Sequence, residues 1–207
     1  MPLLTALEYA SVFVFALTGA LVASRAQLDL IGFVFIGALT AVGGGTVRDV
    51  ILNRDTVFWV ANPGLIGVAA VAAILVFFTA HLLESRYRGI VWLDALALAV
   101  AVPSGVGVAL AMGMSWPVII IMGITTGCFG GLMRDVVCNE VPLVLKQGEL
   151  YVTCALAGAT TTVIALALGL PENIALLACA GATFALRSGS IAFGWCLPVY
   201  KSFPPRQ

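Results

Sequence analysis

Seven apolar stretches of about twenty residues fill this chain, and the polar turns between them are too short to form a domain of their own. A helix rises ~1.5 Å per residue, so twenty residues cross a hydrocarbon core of ~30 Å. Inside that core the backbone N–H and C=O groups find no water, and only helices or closed barrels satisfy them. Barrel strands would alternate apolar and polar residues over about ten positions. No such alternation is present. The chain is therefore expected to be an all-α membrane protein. Its charge content agrees: 10% of the residues are Asp, Glu, Lys or Arg, against about 25% in a soluble domain, and the mean hydropathy is +1.10. A formal net charge of zero gives no footing for a nucleic-acid partner. The N-terminus shows neither a basic leader nor a cleavage site, so the first apolar stretch reads as a retained helix.

The spacing predicts spans at residues 7–24, 30–53, 65–83, 90–112, 116–139, 150–170 and 174–195. Asn62-Pro63-Gly64, Gly113 to Ser115 and Pro171-Glu172-Asn173 are turns. Pro103-Ser104-Gly105 is expected to kink or unwind the fourth span. The five cysteines (Cys128, Cys138, Cys154, Cys179 and Cys196) have no metal or redox spacing and read as small apolar helix residues. No Walker loop, zinc signature or nucleophile elbow occurs, so the chain is not expected to be an enzyme or to hold a metal or cofactor.

One segment breaks the apolar pattern twice. Gly43-Gly44-Gly45-Thr46-Val47-Arg48-Asp49-Val50 runs on to Asn53, and Gly130-Gly131-Leu132-Met133-Arg134-Asp135-Val136 runs on to Asn139, 86 residues later. The same offset places Glu8 on Asp94, Gly19 on Gly105, Gly37 on Gly123 and Thr40 on Thr126. Spans one to three (residues 1–88) thus repeat as spans four to six (residues 89–172), and residues 173–207 add a seventh span and a tail. Three spans reverse the side of the membrane, so the second unit enters upside down: an inverted 3+3 repeat plus one. The Lys and Arg of the connections fall on one side as Arg25, Arg86, Arg88, Lys146, Lys201 and Arg206, and on the other as Arg54 alone. The basic side should be cytoplasmic, leaving the N-terminus outside and the C-terminus in. Trp59, Trp92, Trp116 and Trp195 fall near span ends, where an interfacial aromatic belt sits.

Glycine weakens a helix by about 1 kcal/mol relative to alanine. Spans two and five are therefore expected to be kinked or broken at Gly43, Gly44, Gly45, Gly130 and Gly131. A break frees carbonyls that face protein or a water-filled cavity and makes the following half-helix start electropositive. Thr18, Thr40, Thr126 and Ser104 lie close enough to add hydroxyl oxygens. The plainer alternative is that the glycines let helices pack tightly. Arg48, Asp49, Arg134 and Asp135 are ionisable groups within spans, which face an interior cavity or a partner. Neighbours on a helix point about 100° apart, so Arg48 is expected to pair with Asp135 and Arg134 with Asp49. Snorkelling to the interface is the alternative. An arginine beside a half-helix N-terminus attracts anions, so a cation pathway needs these arginines neutralised or movable. Arg187 is either a third polar element or a headgroup contact, and His81 reads as an interfacial side chain.

The doubled Gly-Gly-x-x-Arg-Asp motif in a three-plus-three-plus-one chain resembles the prokaryotic branch of the trimeric intracellular cation channel (TRIC) family, over nearly the whole sequence. That resemblance implies a homotrimer with a pore in each protomer, lined by spans two and five. It implies K⁺ as the chief permeant ion, with Na⁺ also passing, and surrounding membrane lipids as the other partners. The setting implied is a bacterial or archaeal plasma membrane. Animal members carry a Lys-Glu pair and are associated with phosphoinositides, whereas Arg48-Asp49 stands here. Some bacterial proteins with the same paired domain are thought to move glycine, so a secondary transporter of a small zwitterion is the alternative. A scaffold whose glycines only pack helices is the non-transport reading.

Overall fold

The computed structural model describes residues 2–82, 86–146 and 150–198. The side chain of Arg86, and Lys201 and Arg206, all named above, lie outside the described residues. The chain forms α1 (Pro2–Arg25), α2 (Leu30–Ile51), a one-turn α3 (Phe58–Ala61), α4 (Gly64–Thr79), α5 (Arg86–Ala111), α6 (Trp116–Val137), α7 (Tyr151–Ala167) and α8 (Glu172–Phe193). Among the described residues six helices are long and apolar enough to cross a membrane, and α7 is a shorter apolar helix of 17 residues. At ~1.5 Å per residue α7 reaches about 25 Å, the lower limit for a span.

The two expected breaks are absent. α2 is helical through Gly43, Gly44 and Gly45, and α6 through Gly130 and Gly131. α5 likewise runs unbroken through Pro103, Ser104 and Gly105. It packs against α1, α6, α7 and α8, so the backbone disturbed by proline is enclosed by protein and not by lipid. What the glycines provide is close approach between helices. A Cβ on Gly44 would run into the Thr126 carbonyl, and one on Gly130 into the Thr40 carbonyl. α2 and α6 therefore cross backbone to backbone, with antiparallel register. Each threonine is also wedged from its other side: the Thr40 hydroxyl lies where a Gly19 Cβ would be, and the Thr126 hydroxyl where a Gly105 Cβ would be. Those hydroxyls donate to their own helices, Thr40 to the Ile36 carbonyl (2.6 Å) and Thr126 to the Met122 carbonyl (2.7 Å).

The motif's asparagines stop the helices. Asn53 (φ 49°) and Asn139 (φ 54°) take the left-handed conformation just past α2 and α6. The Arg54 N–H returns to the Asp49 carbonyl and the Glu140 N–H to the Asp135 carbonyl, which closes both ends as Schellman caps. Gln27 and Gly113 do the same after α1 and α5.

α1 packs on α2, α4 and α5; α6 packs on α2, α5 and α7; α8 closes over α5 and α7. Arg25, Tyr87, Glu140 and Lys146 gather at one end of the bundle, and Asn53, Arg54, Ala61 and Met112 at the other. Trp116 opens α6 and Trp195 follows α8, both about half-exposed. His81 is exposed in a single turn after α4. All five cysteines are free thiols.

Because Gly44 and Gly130 face backbone carbonyls, Gly44→Ala and Gly130→Ala should each cost about 1–3 kcal/mol of stability through overpacking. Gly67 and Gly181 have open space around them, so alanine there should be neutral or mildly stabilising. Thermal unfolding of the four variants in detergent checks the contrast.

Candidate functional site

Two charged clusters lie inside the bundle, one at the end of α2 and one at the end of α6. In the second, Arg134 is fully buried. Its Nε donates to Asp135 Oδ1 (2.7 Å), and its Nη1 to Asp94 Oδ1 (2.8 Å) and to Thr18 Oγ1 (2.9 Å). Asp94, on α5, also accepts from the Tyr151 hydroxyl on α7. The Tyr151 ring lies 5.0 Å from the buried Arg187 guanidinium on α8. In the first cluster Arg48 Nε donates to Asp49 Oδ1 (2.7 Å), and its Nη2 approaches Glu8 Oε1 at 3.6 Å. Arg54 bridges the Asp49 carboxylate from the loop at 3.2 Å.

These pairs overturn the crossed pairing expected from helix geometry. Arg48 meets Asp49 and Glu8; Arg134 meets Asp135 and Asp94. The 100° argument fails because each aspartate is turned inward by the loop that follows its helix. The Phe58 N–H donates to Asp49 Oδ2 (2.7 Å), and the Leu143 N–H to Asp135 Oδ2 (2.9 Å). A carboxylate fixed there is within reach of the long, flexible arginine that precedes it. The halves do exchange a polar contact, but it runs through a hydroxyl, from Arg134 to Thr18.

The electrostatic objection to a cation also falls. With no break, neither arginine sits at a half-helix N-terminus. Both lie in the last turn of a continuous helix, where the backbone dipole is negative and favours a cation. Two carboxylates then neutralise each guanidinium.

The cavities differ between the clusters. An open cavity of about 360 Å³ runs between Arg25, Tyr87, Glu140 and Lys146 down to Arg134 and Asp135. The Arg48 cluster adjoins a much smaller space of about 10 Å³, the size of one water. Glu8, Ser11, Ser104, Thr126 and Gly45 help line it. The candidate residues thus divide three ways. Thr40, Gly44, Thr126 and Gly130 form the helix crossing, and Met133 Sδ lies against Gly43. Gly45, Arg48, Asp49, Thr126 and Ser104 gather around the small space or its cluster. Gly131, Arg134 and Asp135 belong to the other cluster, where Gly131 leaves room for the Arg134, Tyr151 and Asp94 side chains. Glu8, Asp94 and Tyr151 were missed as site residues. The two acids carried a usable signal, since both are ionisable, lie within spans and coincide at the repeat offset. Tyr151 carried none: the position 86 residues earlier is Leu65.

A family model described as "Glycine transporter" matches the chain twice, over residues 5–81 and 91–167. A solved TRIC trimeric intracellular cation channel orthologue from Rhodobacter sphaeroides superposes with a TM-score of 0.90 at 41% identity, over 94% of this chain and 100% of that one. The chain belongs to the prokaryotic TRIC family. Its sequence relatives include a UPF0126 membrane protein of Vibrio cholerae, 36% identical over 192 residues (90% of this chain, 78% of that one). Another is the inner membrane protein YadS of Escherichia coli K12, 35% identical over 156 residues (73% of each). The family model's two matches begin 86 residues apart. Within this TRIC chain the same offset relates the glycine–threonine contacts, the arginine–aspartate pairs and the asparagine caps.

The two clusters are unequally tight. Asp94 is fully buried and holds Arg134 at 2.8 Å, whereas the Glu8 side chain is 20% exposed and 3.6 Å from Arg48. Asp94→Asn should therefore destabilise by about 3–5 kcal/mol, as removal of one partner of a buried ion pair does. Glu8→Gln should cost clearly less. Chemical unfolding of the two variants, compared with the parent, checks the order.

Proposed function

We propose that the protein is a K⁺-permeable cation channel that works as a homotrimer with one pathway in each protomer, with Na⁺ also passing. The observation that carries this is the pair of buried clusters flanking the α2–α6 crossing, each an arginine in a helix's last turn facing two carboxylates. Carboxylate oxygens and hydroxyls lead toward the crossing from either side, through the cavity above Arg134 and Asp135 and through the space beside Arg48 and Ser104. The closely similar R. sphaeroides protein is itself named a cation channel and a trimer. In this conformation the crossing is packed shut. Opening would bend or separate α2 and α6 at Gly43, Gly44, Gly45, Gly130 and Gly131, where helix propensity is lowest.

The remaining features fit one arrangement. Residues 1–88 and 89–172 form an inverted pair, with 173–207 as an appended seventh span and tail. Arg25, Arg88 and Lys146 belong to the basic end, which is cytoplasmic by the positive-inside tendency. The protein then sits in a bacterial or archaeal plasma membrane with its N-terminus outside and its C-terminus within. Exposed apolar side chains such as Phe35 on α2 and Phe78 on α4 face lipid or a neighbouring protomer.

A second reading, secondary transport of glycine, takes its support from the description of the matched family model. A zwitterion's carboxylate would need a guanidinium to bind, and here Arg48 and Arg134 already hold carboxylates of their own.

Purified protein in planar bilayers should give unitary currents whose reversal potential selects K⁺ over Cl⁻. Arg48→Ala and Arg134→Ala should each alter conductance or open probability severalfold. Saturable glycine uptake into liposomes without single-channel steps would overturn the channel reading.

A further inference from the structure

The two ends of the proposed pathway are built from equivalent residues but closed differently. Gly45 and Gly131 stand 86 residues apart, and each faces its arginine cluster. The three atoms nearest to where a Gly131 Cβ would be are polar, from Arg134, Tyr151 and Asp94, at 3.6–3.7 Å. That cluster forms the floor of the open cavity of about 360 Å³. Over Gly45 lies the ring of Phe58, whose Cε1, Cζ and Cδ1 stand 2.5–3.1 Å from where a Cβ would be. The ring fills the hollow that a missing side chain leaves.

Phe58 is 7% exposed, and its ring centroid is 5.3 Å from the Arg48 guanidinium carbon. It lines the space of about 10 Å³ together with Glu8, Ser11 and Ser104. It rides on α3, a single turn inside the connection between α2 and α4. That connection is fastened at a few points: the Phe58 N–H to Asp49 Oδ2 (2.7 Å), the Trp59 indole to Thr46 Oγ1 (3.0 Å), Arg54 to Asp49, and Asn62 to the Tyr9 hydroxyl (2.9 Å). Asn53, Arg54, Asp55, Thr56 and Ala61 of the same connection line an open cavity of about 370 Å³. At the repeat offset Phe58 falls on Val144, and the residue whose N–H takes the matching place on Asp135 is Leu143; neither carries a ring. The ring is thus a feature of one half alone.

We propose that the Phe58 ring is the closing element of the pathway at the α3 end: seated on Gly45 over Arg48, it separates the outer cavity from the polar space behind it. Apolar constrictions gate by excluding water and ions until they move. The proposal rests on the channel reading, so its test has one arm that does not depend on ion flow.

The reporter is Ser11→Cys, since Ser11 is buried on that small space. The background replaces Cys138 and Cys196, which are half-buried and exposed thiols. A small charged methanethiosulfonate is applied from the end that carries residues 53–62. Phe58→Ala removes the ring. Gly45→Ala leaves it in place chemically, but the new Cβ must push its far edge aside. Both variants should label on the order of tenfold faster than the parent, a change of about 1.4 kcal/mol in closure. Both should also raise K⁺ efflux from liposomes. Faster labelling with no K⁺ flux in the parent or any variant would support the Phe58 closure while overturning the channel reading. Unchanged labelling in Gly45→Ala, with the variant monodisperse and helical, would overturn the closure itself, even if Phe58→Ala does not fold.

Discussion

The interaction on which the rest depends is the pairing of a guanidinium with two carboxylates inside an apolar bundle. Neither Arg48 nor Arg134 has appreciable exposed surface, and an ion without a partner in such a place costs several kcal/mol. Each therefore needs an anion from its own helix and one from a neighbour. Asp49 and Asp135 supply the first, Glu8 on α1 and Asp94 on α5 the second. The aspartates have a further task. Their outer oxygens accept the N–H of Phe58 and of Leu143, so the charge pair also positions the loop that follows each helix. One adjacent Arg-Asp dipeptide thereby links helix end, neighbouring helix and loop.

The second constraint is the distance at which α2 and α6 cross. A carbonyl lies where a side chain would begin, at Gly44 against Thr126 and at Gly130 against Thr40. Hydrocarbon gives no hydrophobic drive for helices to associate, so contact of this closeness supplies it through dispersion. The same glycines leave the helix backbone poorly supported. One feature thus joins α2 and α6 closely in this conformation and puts the lowest helix propensity of both helices at the crossing.

Identical motifs do not make the two ends alike. Around Arg134 the network is tight and extends through Tyr151 to Arg187 and α8. Around Arg48 it is looser, with a partly exposed Glu8 and an aromatic ring in place of a polar wall. Helix α8 accounts for part of this. It packs chiefly on α5 and α7. The electrostatic tension that an arginine raises for a cation pathway is relieved at both ends by the carboxylates, and more firmly at the Arg134 end.

The class and the order of the helices were legible in the sequence, because hydrocarbon leaves a chain so little choice: seven apolar runs become helices whose limits lie within a few residues of those read from composition. The doubled motif also located the arginines, aspartates and glycines around which the interior is arranged. Where sequence reasoning failed was in assigning partners and conformation. It took Gly43-Gly44-Gly45 as a break, because propensity measures a helix alone, and a neighbouring helix at carbonyl distance holds these residues helical. It rejected Arg48 with Asp49, because helix geometry fixes where a side chain starts and not where a loop N–H draws it. Tyr151 and Phe58 looked like ordinary apolar positions. The sequence by itself determined that charge would be buried at two places and that Arg48, Asp49, Arg134 and Asp135 would be part of it. Only the tertiary structure decided which charge neutralises which, and which end carries a ring over its glycine, since the second carboxylate comes from another helix and the ring from a loop that folds back onto Gly45.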